Sequence, residues 1–257
     1  MKNIVAIIPA RMASSRFPGK PMALINGIPM IGHCYFRTNM CDNLSNTYVA
    51  TCDNEIHDYI NSIGGHSIMT ADSHERASDR VAEAMLKIEA EDGKKIDIVV
   101  MVQGDEPMIT PQMIDQSIAP FLNNNKVQIV NLMAEIKDLR EFEDPNEVKV
   151  VVDNSNNAIY FSREPIPSRK KGFDTVPMFK QVCIIPFTRK ALIAFNAEPE
   201  TELEKIESID MLRVIETGSS VLMVKTDRNT FSVDNEEDRL RVERLMKDDS
   251  LASGYKK

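Results

Sequence analysis

Two short apolar runs constrain the fold more than any other feature of this chain: Ile4-Val5-Ala6-Ile7-Ile8, and, apart from Asp97, residues 96–102. A strand with one face in water alternates apolar and polar side chains. A continuous apolar run suits a strand covered on both faces, as in a parallel sheet. The first run breaks at Pro9 into Ala10-Arg11-Met12-Ala13-Ser14-Ser15-Arg16-Phe17-Pro18-Gly19-Lys20-Pro21. Ligands of parallel sheets gather at the carboxyl ends of strands, where this loop emerges. Arg11, Arg16 and Lys20 could converge there on a polyanion, the arginines as bidentate forks and the lysine as a point charge. The loop is not a Walker A sequence, because Ser14 stands at the first glycine position and Pro21 replaces the Ser/Thr. No Gly-x-Gly-x-x-Gly follows the strand either, so the dinucleotide fingerprint is absent.

The patterns alternate between strand and helix through the first half of the chain, which predicts an α/β fold with a mostly parallel sheet. Strands are expected at 4–8, 47–51, 66–69 and 96–102, and helices at 30–39, 55–63, 76–91 and 111–123. After residue 127 the pattern becomes mixed. Strands are expected at 127–134, 148–152, 158–161, 180–186 and 221–224, helices near 189–195, 206–216 and 236–247, and a frayed tail from 248. No linker or internal repeat divides the chain, which reads as a single domain, 1–257, with halves at 1–125 and 126–257.

Thirty-one cations against thirty-nine acids give a net charge of −8. That argues against a general nucleic-acid binder, which needs a basic face. Cys34, Cys41, Cys52 and Cys183 lack metal-type spacing and read as reduced thiols. No apolar stretch approaches membrane-spanning length and the amino terminus lacks a cleavage region, so the expected setting is cytoplasmic.

The first loop resembles the amino-terminal signature of the sugar-activating cytidylyltransferases, in particular the 3-deoxy-manno-octulosonate (KDO) cytidylyltransferases. Val102-Gln103-Gly104-Asp105-Glu106-Pro107 resembles the metal-binding segment of that family. Pro145-Asn146-Glu147-Val148-Lys149, Ala158-Ile159-Tyr160-Phe161-Ser162-Arg163, the stretch from Leu203-Glu204 to Arg213, and Ser232-Val233-Asp234-Asn235 follow in family order. The resemblance implies a three-layer, Rossmann-like nucleotidyltransferase that joins CTP to a 2-keto-3-deoxy sugar acid with Mg2+, works as a homodimer through 155–200, and feeds lipopolysaccharide or capsule.

By that resemblance Lys20, Arg16 and Asp105 are catalytic, and Arg11, Ser14, Arg16, Lys20, Ser78 and Arg80 hold the nucleotide. Asp105 and Asp234 hold the metal. Each has another reading. Asp105 could be a turn residue, and Asp234 with Glu237 has the spacing of a capping box. Ser78 and Arg80 could be ordinary residues of a helix start. Gln103, Arg163, Gln181, Glu204 and Glu207 are the expected sugar contacts; Gln103 could instead satisfy loop backbone, Arg163 could be a strand-end charge, and the two glutamates could lie on a solvated helix face. Gln181-Val182-Cys183 stands where typical KDO enzymes have His-Leu-Gly, which removes a titratable group and marks a divergent member. The rivals are a CMP-nonulosonate synthetase with the same chemistry, a uridylyltransferase, and a nucleotide-binding protein without turnover.

Overall fold

The computed structural model describes residues 2–13, 17–170, 176–228 and 230–255. The chain forms two compact units: Met1–Asp115 with Thr230–Lys257, and Gln116–Asn229. The carboxyl-terminal segment thus returns to the first unit.

In chain order the first part contains β1 (Ile4–Ala10), β2 (Leu24–Ile25), β3 (Ile28–Pro29), α1 (Met30–Asn39), β4 (Asn46–Thr51), α2 (Asn54–Ser62), β5 (His66–Met69), α3 (Ala77–Asp92), β6 (Ile98–Val102) and α4 (Pro111–Asn123). Strands β6, β1, β4 and β5 lie side by side and parallel, with Ile7 opposite Tyr48 on one side and Met101 on the other. Every residue of β6 is buried, as the apolar run requires. The hairpin β2–β3 turns at Asn26 and Gly27, both at positive φ (48° and 84°). That conformation suits Asn-Gly in a type I′ turn.

The second unit contains β7 (Val130–Glu135), α5 (Leu139–Glu143), β8 (Lys149–Val152), β9 (Ala158–Ser162), β10 (Phe179–Val182), β11 (Ile184–Thr188), α6 (Arg189–Ala197), α7 (Glu202–Glu207), α8 (Met211–Glu216) and β12 (Leu222–Thr226). Its sheet runs β12-β7-β10-β8-β9; β12 is parallel to β7 and the remaining pairs are antiparallel. The run expected as one strand at 180–186 divides at Cys183 into β10 and β11.

The helix expected at 206–216 is two helices. Ser208 ends α7 in the left-handed region (φ 54°), and α8 restarts after Asp210. A buried ion pair accounts for the break. Arg213 donates to Glu204 through Nε (2.8 Å) and Nη2 (2.7 Å), and its Nη1 donates to the Phe195 carbonyl at 2.9 Å. In one straight helix these residues would stand about 13 Å apart along the axis. The break folds α8 back so that they meet.

The chain then returns to the first unit with α9 (Glu236–Leu245) and α10 (Ser250–Ser253). Val233, Val242 and Met246 pack with Ile25 and Met30 in one buried cluster. Glu243 accepts from the Asn26 N–H at 2.9 Å, and Arg239 donates to the Leu24 carbonyl at 2.7 Å. The described part of the tail, through Tyr255, is packed on the first unit, against expectation. The Tyr255 hydroxyl meets Arg37 Nε at 3.0 Å and His33 Nδ1 at 2.8 Å, and its ring stacks on Phe36. Arg37 is almost wholly buried, so it needs these partners together with the Asp249 carboxylate.

Removing one member of the interior pair leaves a buried charge uncompensated. Glu204→Ala should cost about 3–5 kcal/mol, read as a lower urea midpoint.

Candidate active site

The loop after β1 is tied down at both ends. The Met12 N–H donates to Asp53 Oδ2 at 2.8 Å, and the Gly19 N–H donates to the Met12 carbonyl at 3.2 Å. Gly19 has φ 72°, a conformation that glycine adopts without a side-chain penalty, and it starts the short 3-10 helix Lys20–Met22. That geometry aims Lys20 at the end of β6. Beyond β6, a methyl group on Gly104 would stand 3.1 Å from the Pro9 carbonyl and 3.2 Å from Ile31 Cδ1, so glycine permits the close approach of the two strand ends.

Lys20 Nζ lies 2.9 Å from Asp105 Oδ2 and 3.3 Å from Asp234 Oδ1. Only 13% of the lysine side chain is exposed. Burial by itself lowers the pKa of this ammonium, but the charge of Asp105, its hydrogen bond and then the same two effects from Asp234 outweigh burial and raise it. The two carboxylates are brought together by backbone: the Val233 N–H donates to the Asp105 carbonyl at 2.9 Å. Residues 231–233 form no strand; this bond and the burial of Val233 hold the segment.

The capping alternative for Asp234 is resolved one residue along. Asn235 is the cap of α9: its side chain accepts from the Asp238 N–H at 3.0 Å, and Asp238 accepts from the Asn235 N–H at 3.2 Å. The Asp234 carboxylate is thereby left to face Lys20.

Beside this trio lies a cavity of about 360 Å³, lined by Arg11, Lys20, Arg76, Arg80, Gln103 and Asp105 together with His74, Glu75 and loop backbone. It is a local concentration of cations on a chain of net charge −8. Ser14 and Arg16 lie outside the described residues. Ser78 is fully buried and does not line the cavity: Arg76, Ala77 and Arg80 share one helix face, and Ser78 lies on the next. Arg80 is also nearly buried, and its guanidinium donates to Thr70 Oγ1, the Ala71 carbonyl (3.2 Å) and the His74 carbonyl (3.3 Å). It shapes the segment that supplies His74, Glu75 and Arg76.

These three wall residues are absent from the sequence expectation. The signal that could have found them is Glu83, one turn beyond Arg80 on α3. Glu83 pairs with His74 and Lys87 and accepts from the Ala71 N–H at 3.0 Å. Partial burial pushes the Glu83 carboxyl up, but hydrogen bonds from Lys87, the Ala71 N–H and His74 outweigh that and hold it at about 2.

The expected sugar contacts other than Gln103 lie in the second unit. Arg163 donates from Nε to the Glu207 carbonyl (2.8 Å), from Nη1 to the Pro145 carbonyl (3.0 Å) and from Nη2 to the Ser208 carbonyl (3.3 Å). Glu207 accepts from Ser162 Oγ (2.7 Å), the Arg163 N–H (2.9 Å) and Tyr160 (3.3 Å). Burial raises the Glu207 pKa, and those bonds more than reverse it. Gln181 donates to Asn131 Oδ1, and the fully buried Asn131 amide donates to the Val182 carbonyl at 2.7 Å. Glu204 is completely buried against Arg213 and is neither a solvated face nor an available sugar ligand.

A parallel α/β sheet with a cationic loop at one strand end, a carboxylate beyond another and a second carboxylate brought beside it by backbone is the arrangement of a nucleotidyltransferase. The cytidylyltransferase family model matches residues 5–226, and the chain belongs to that family. It is 41% identical to the 3-deoxy-manno-octulosonate cytidylyltransferase of Trichlorobacter lovleyi, over 95% of this chain and 99% of that protein. It is 38% identical to the 8-amino-3,8-dideoxy-manno-octulosonate cytidylyltransferase of Shewanella baltica, over 95% and 98% of the two chains. A solved CMP:2-keto-3-deoxy-manno-octonic acid synthetase complexed with CTP superimposes with a TM-score of 0.87 at 33% identity, covering 95% of this chain and 98% of that one.

Two outcomes are expected. Asn235→Ala should lower stability by about 1 kcal/mol through loss of the cap, whereas Asp234→Asn should leave α9 capped and change the melting temperature little. Glu83→Gln should lower the melting temperature at pH 7. Because the Glu83 pKa is depressed, its contribution is present above the ordinary carboxyl value of 4.5 and is lost as pH falls towards about 2. The gap between the two melting curves should therefore narrow by pH 3.

Proposed function

We propose that this chain couples CTP to KDO, releasing pyrophosphate and forming CMP-KDO for a cell-surface glycan such as lipopolysaccharide or capsule. The observation that carries the reading is the convergence of Asp105, Asp234 and Lys20 at the rim of a cation-lined cavity. The 95% overlap with a relative named for this activity supports the same acceptor.

The triphosphate is assigned to the loop after β1, where Arg11, Arg16 and Lys20 oppose its charge and the Ser14 hydroxyl donates a hydrogen bond. The wall formed by the start of α3 and the segment before it takes the cytidine, with Arg80 setting its shape and Ser78 buried behind it. The anomeric hydroxyl of the sugar acid attacks the α-phosphorus. A bond forms between that oxygen and phosphorus, the bond from phosphorus to the bridging oxygen breaks with its electron pair leaving on pyrophosphate, and the hydroxyl proton passes to solvent. Lys20 stabilises negative charge on the α-phosphate and the departing pyrophosphate, which makes the site one of positioning and electrostatics.

The donor set suits Mg2+, which prefers a few carboxylates completed by substrate oxygens and water. Asp105 and Asp234 would hold it, and when bound it neutralises phosphate charge. Gln103, which lines the cavity, is the sugar contact assigned to the first unit. In the second unit, Arg163, fixed by three backbone carbonyls, is assigned to the sugar carboxylate, and Glu207 and Gln181 are assigned to its polar groups.

A homodimer through 155–200 is part of the proposal. It is supported by Ile159, 56% exposed on the edge strand β9, and Ile193, 39% exposed on α6. No described helix is long and apolar enough to cross a membrane, and the use of CTP supports a cytoplasmic reaction as part of the proposal.

Pyrophosphate release should require CTP, Mg2+ and KDO together. Asp105→Asn and Asp234→Asn should each lose at least a hundredfold in turnover while remaining folded; full activity in both would overturn the assignment. Parallel assays with 8-amino-3,8-dideoxy-manno-octulosonate and a nonulosonic acid identify the acceptor, and exclusive release with either would replace KDO.

A further inference from the structure

We infer that Lys20 is an exchangeable counter-ion. Its ammonium occupies the metal position until the nucleotide draws it away, so metal and nucleotide bind synergistically. The inference rests on the proposed assignment of Asp105 and Asp234 as metal ligands.

The geometry places the lysine and a metal in competition. Nζ stands 2.9 Å and 3.3 Å from one oxygen of each carboxylate. A magnesium ion bound to the same oxygens sits about 2.0–2.1 Å from each and would crowd the ammonium directly. The repulsion would act at a place where only 13% of the lysine side chain reaches solvent. Screening by water is weak there.

The backbone around the trio is fixed. The Val233 N–H holds the Asp105 carbonyl, Asn235 and Asp238 cap the following helix, and Gly19 with the 3-10 turn fixes the start of the lysine. The adaptable component is the lysine stem, with four carbons and three rotatable donors. Space is available, because Lys20 itself lines the 360 Å³ cavity. Arg11, Arg76 and Arg80 also line it, against Glu75 and Asp105, so an empty cavity offers the ammonium more like charge than opposite charge. A triphosphate in the cavity reverses that sign. Lys20 then exchanges two carboxylates for phosphate oxygens, and the vacated carboxylates accept the divalent ion. By linkage, the ion strengthens nucleotide binding by the factor with which nucleotide strengthens ion binding.

Mn2+ is the probe, followed by electron paramagnetic resonance on the full chain, with and without CTP and with no sugar acid, so that no turnover occurs. Without CTP, Lys20→Met should bind Mn2+ at least tenfold more tightly than the wild type. Lys20→Arg, which keeps the charge, should remain weak. Equal Mn2+ affinity of wild type and Lys20→Met overturns the exchange. Adding Asp234→Asn to Lys20→Met should abolish the tight binding. If tight binding survives loss of Asp234 and of Asp105, the ion is elsewhere, and the metal assignment falls together with the exchange. If binding needs both carboxylates but ignores Lys20, the assignment stands and only the exchange fails. Mn2+ should also raise the melting temperature of Lys20→Met more than that of the wild type, a readout independent of turnover.

Discussion

The hydrogen bond from the Val233 N–H to the Asp105 carbonyl is the constraint on which the site depends. Asp105 follows a buried parallel strand and is placed by the sheet. Asp234 follows no strand, and its position derives from this bond and from the cap of α9. The packing of Val233, Val242 and Met246 on Ile25 and Met30 keeps the segment in register. Two carboxylates facing each other without a cation would repel, so Lys20 completes an arrangement that neither acid could hold alone.

Both units use buried cations to hold polar backbone. Arg37 gathers Asp249, Tyr255 and the Ile109 carbonyl. Arg213 gathers Glu204 and the Phe195 carbonyl. Lys149, fully buried on β8, donates to the carbonyls of Asp144 and Glu147 at 2.8 Å and 2.7 Å and to that of Arg163. Such groups are costly to bury, and each is matched by several acceptors. They fix loops that have few apolar side chains of their own.

The parallel sheet was legible because β1 and β6 are continuous apolar runs and because helical spacing marks α1 and α3. Lys20, Arg11 and Asp105 were legible for a related reason: each follows the end of such a strand or lies in the loop that leaves it. What was not legible depended on contacts distant in sequence. The break between α7 and α8 follows from a buried pair that no local pattern announces. The packing of the tail follows from Arg37, far away in the chain. Asp234 looked like a cap because Asp234 and Glu237 have the right spacing; the same spacing one residue later, Asn235 and Asp238, is the one used. His74 and Arg76 reach the cavity through α3 clamping their segment. The Asn26-Gly27 turn carried a local signal that an apolar-run reading passes over.

The discontinuity of the first unit bears on how the protein comes into being. Its sheet and first carboxylate are synthesised early, the whole second unit follows, and only then does the stretch bearing Asp234 leave the ribosome. At about 5–20 residues per second, the second acid arrives many seconds after the first. During that interval Ile25 and Met30 lack the side chains that later cover them, and Lys20 has half of its counter-charge. A nascent chain therefore carries the cationic loop without the completed trio of Lys20, Asp105 and Asp234, which comes together only after residues 230–246 have followed the second unit.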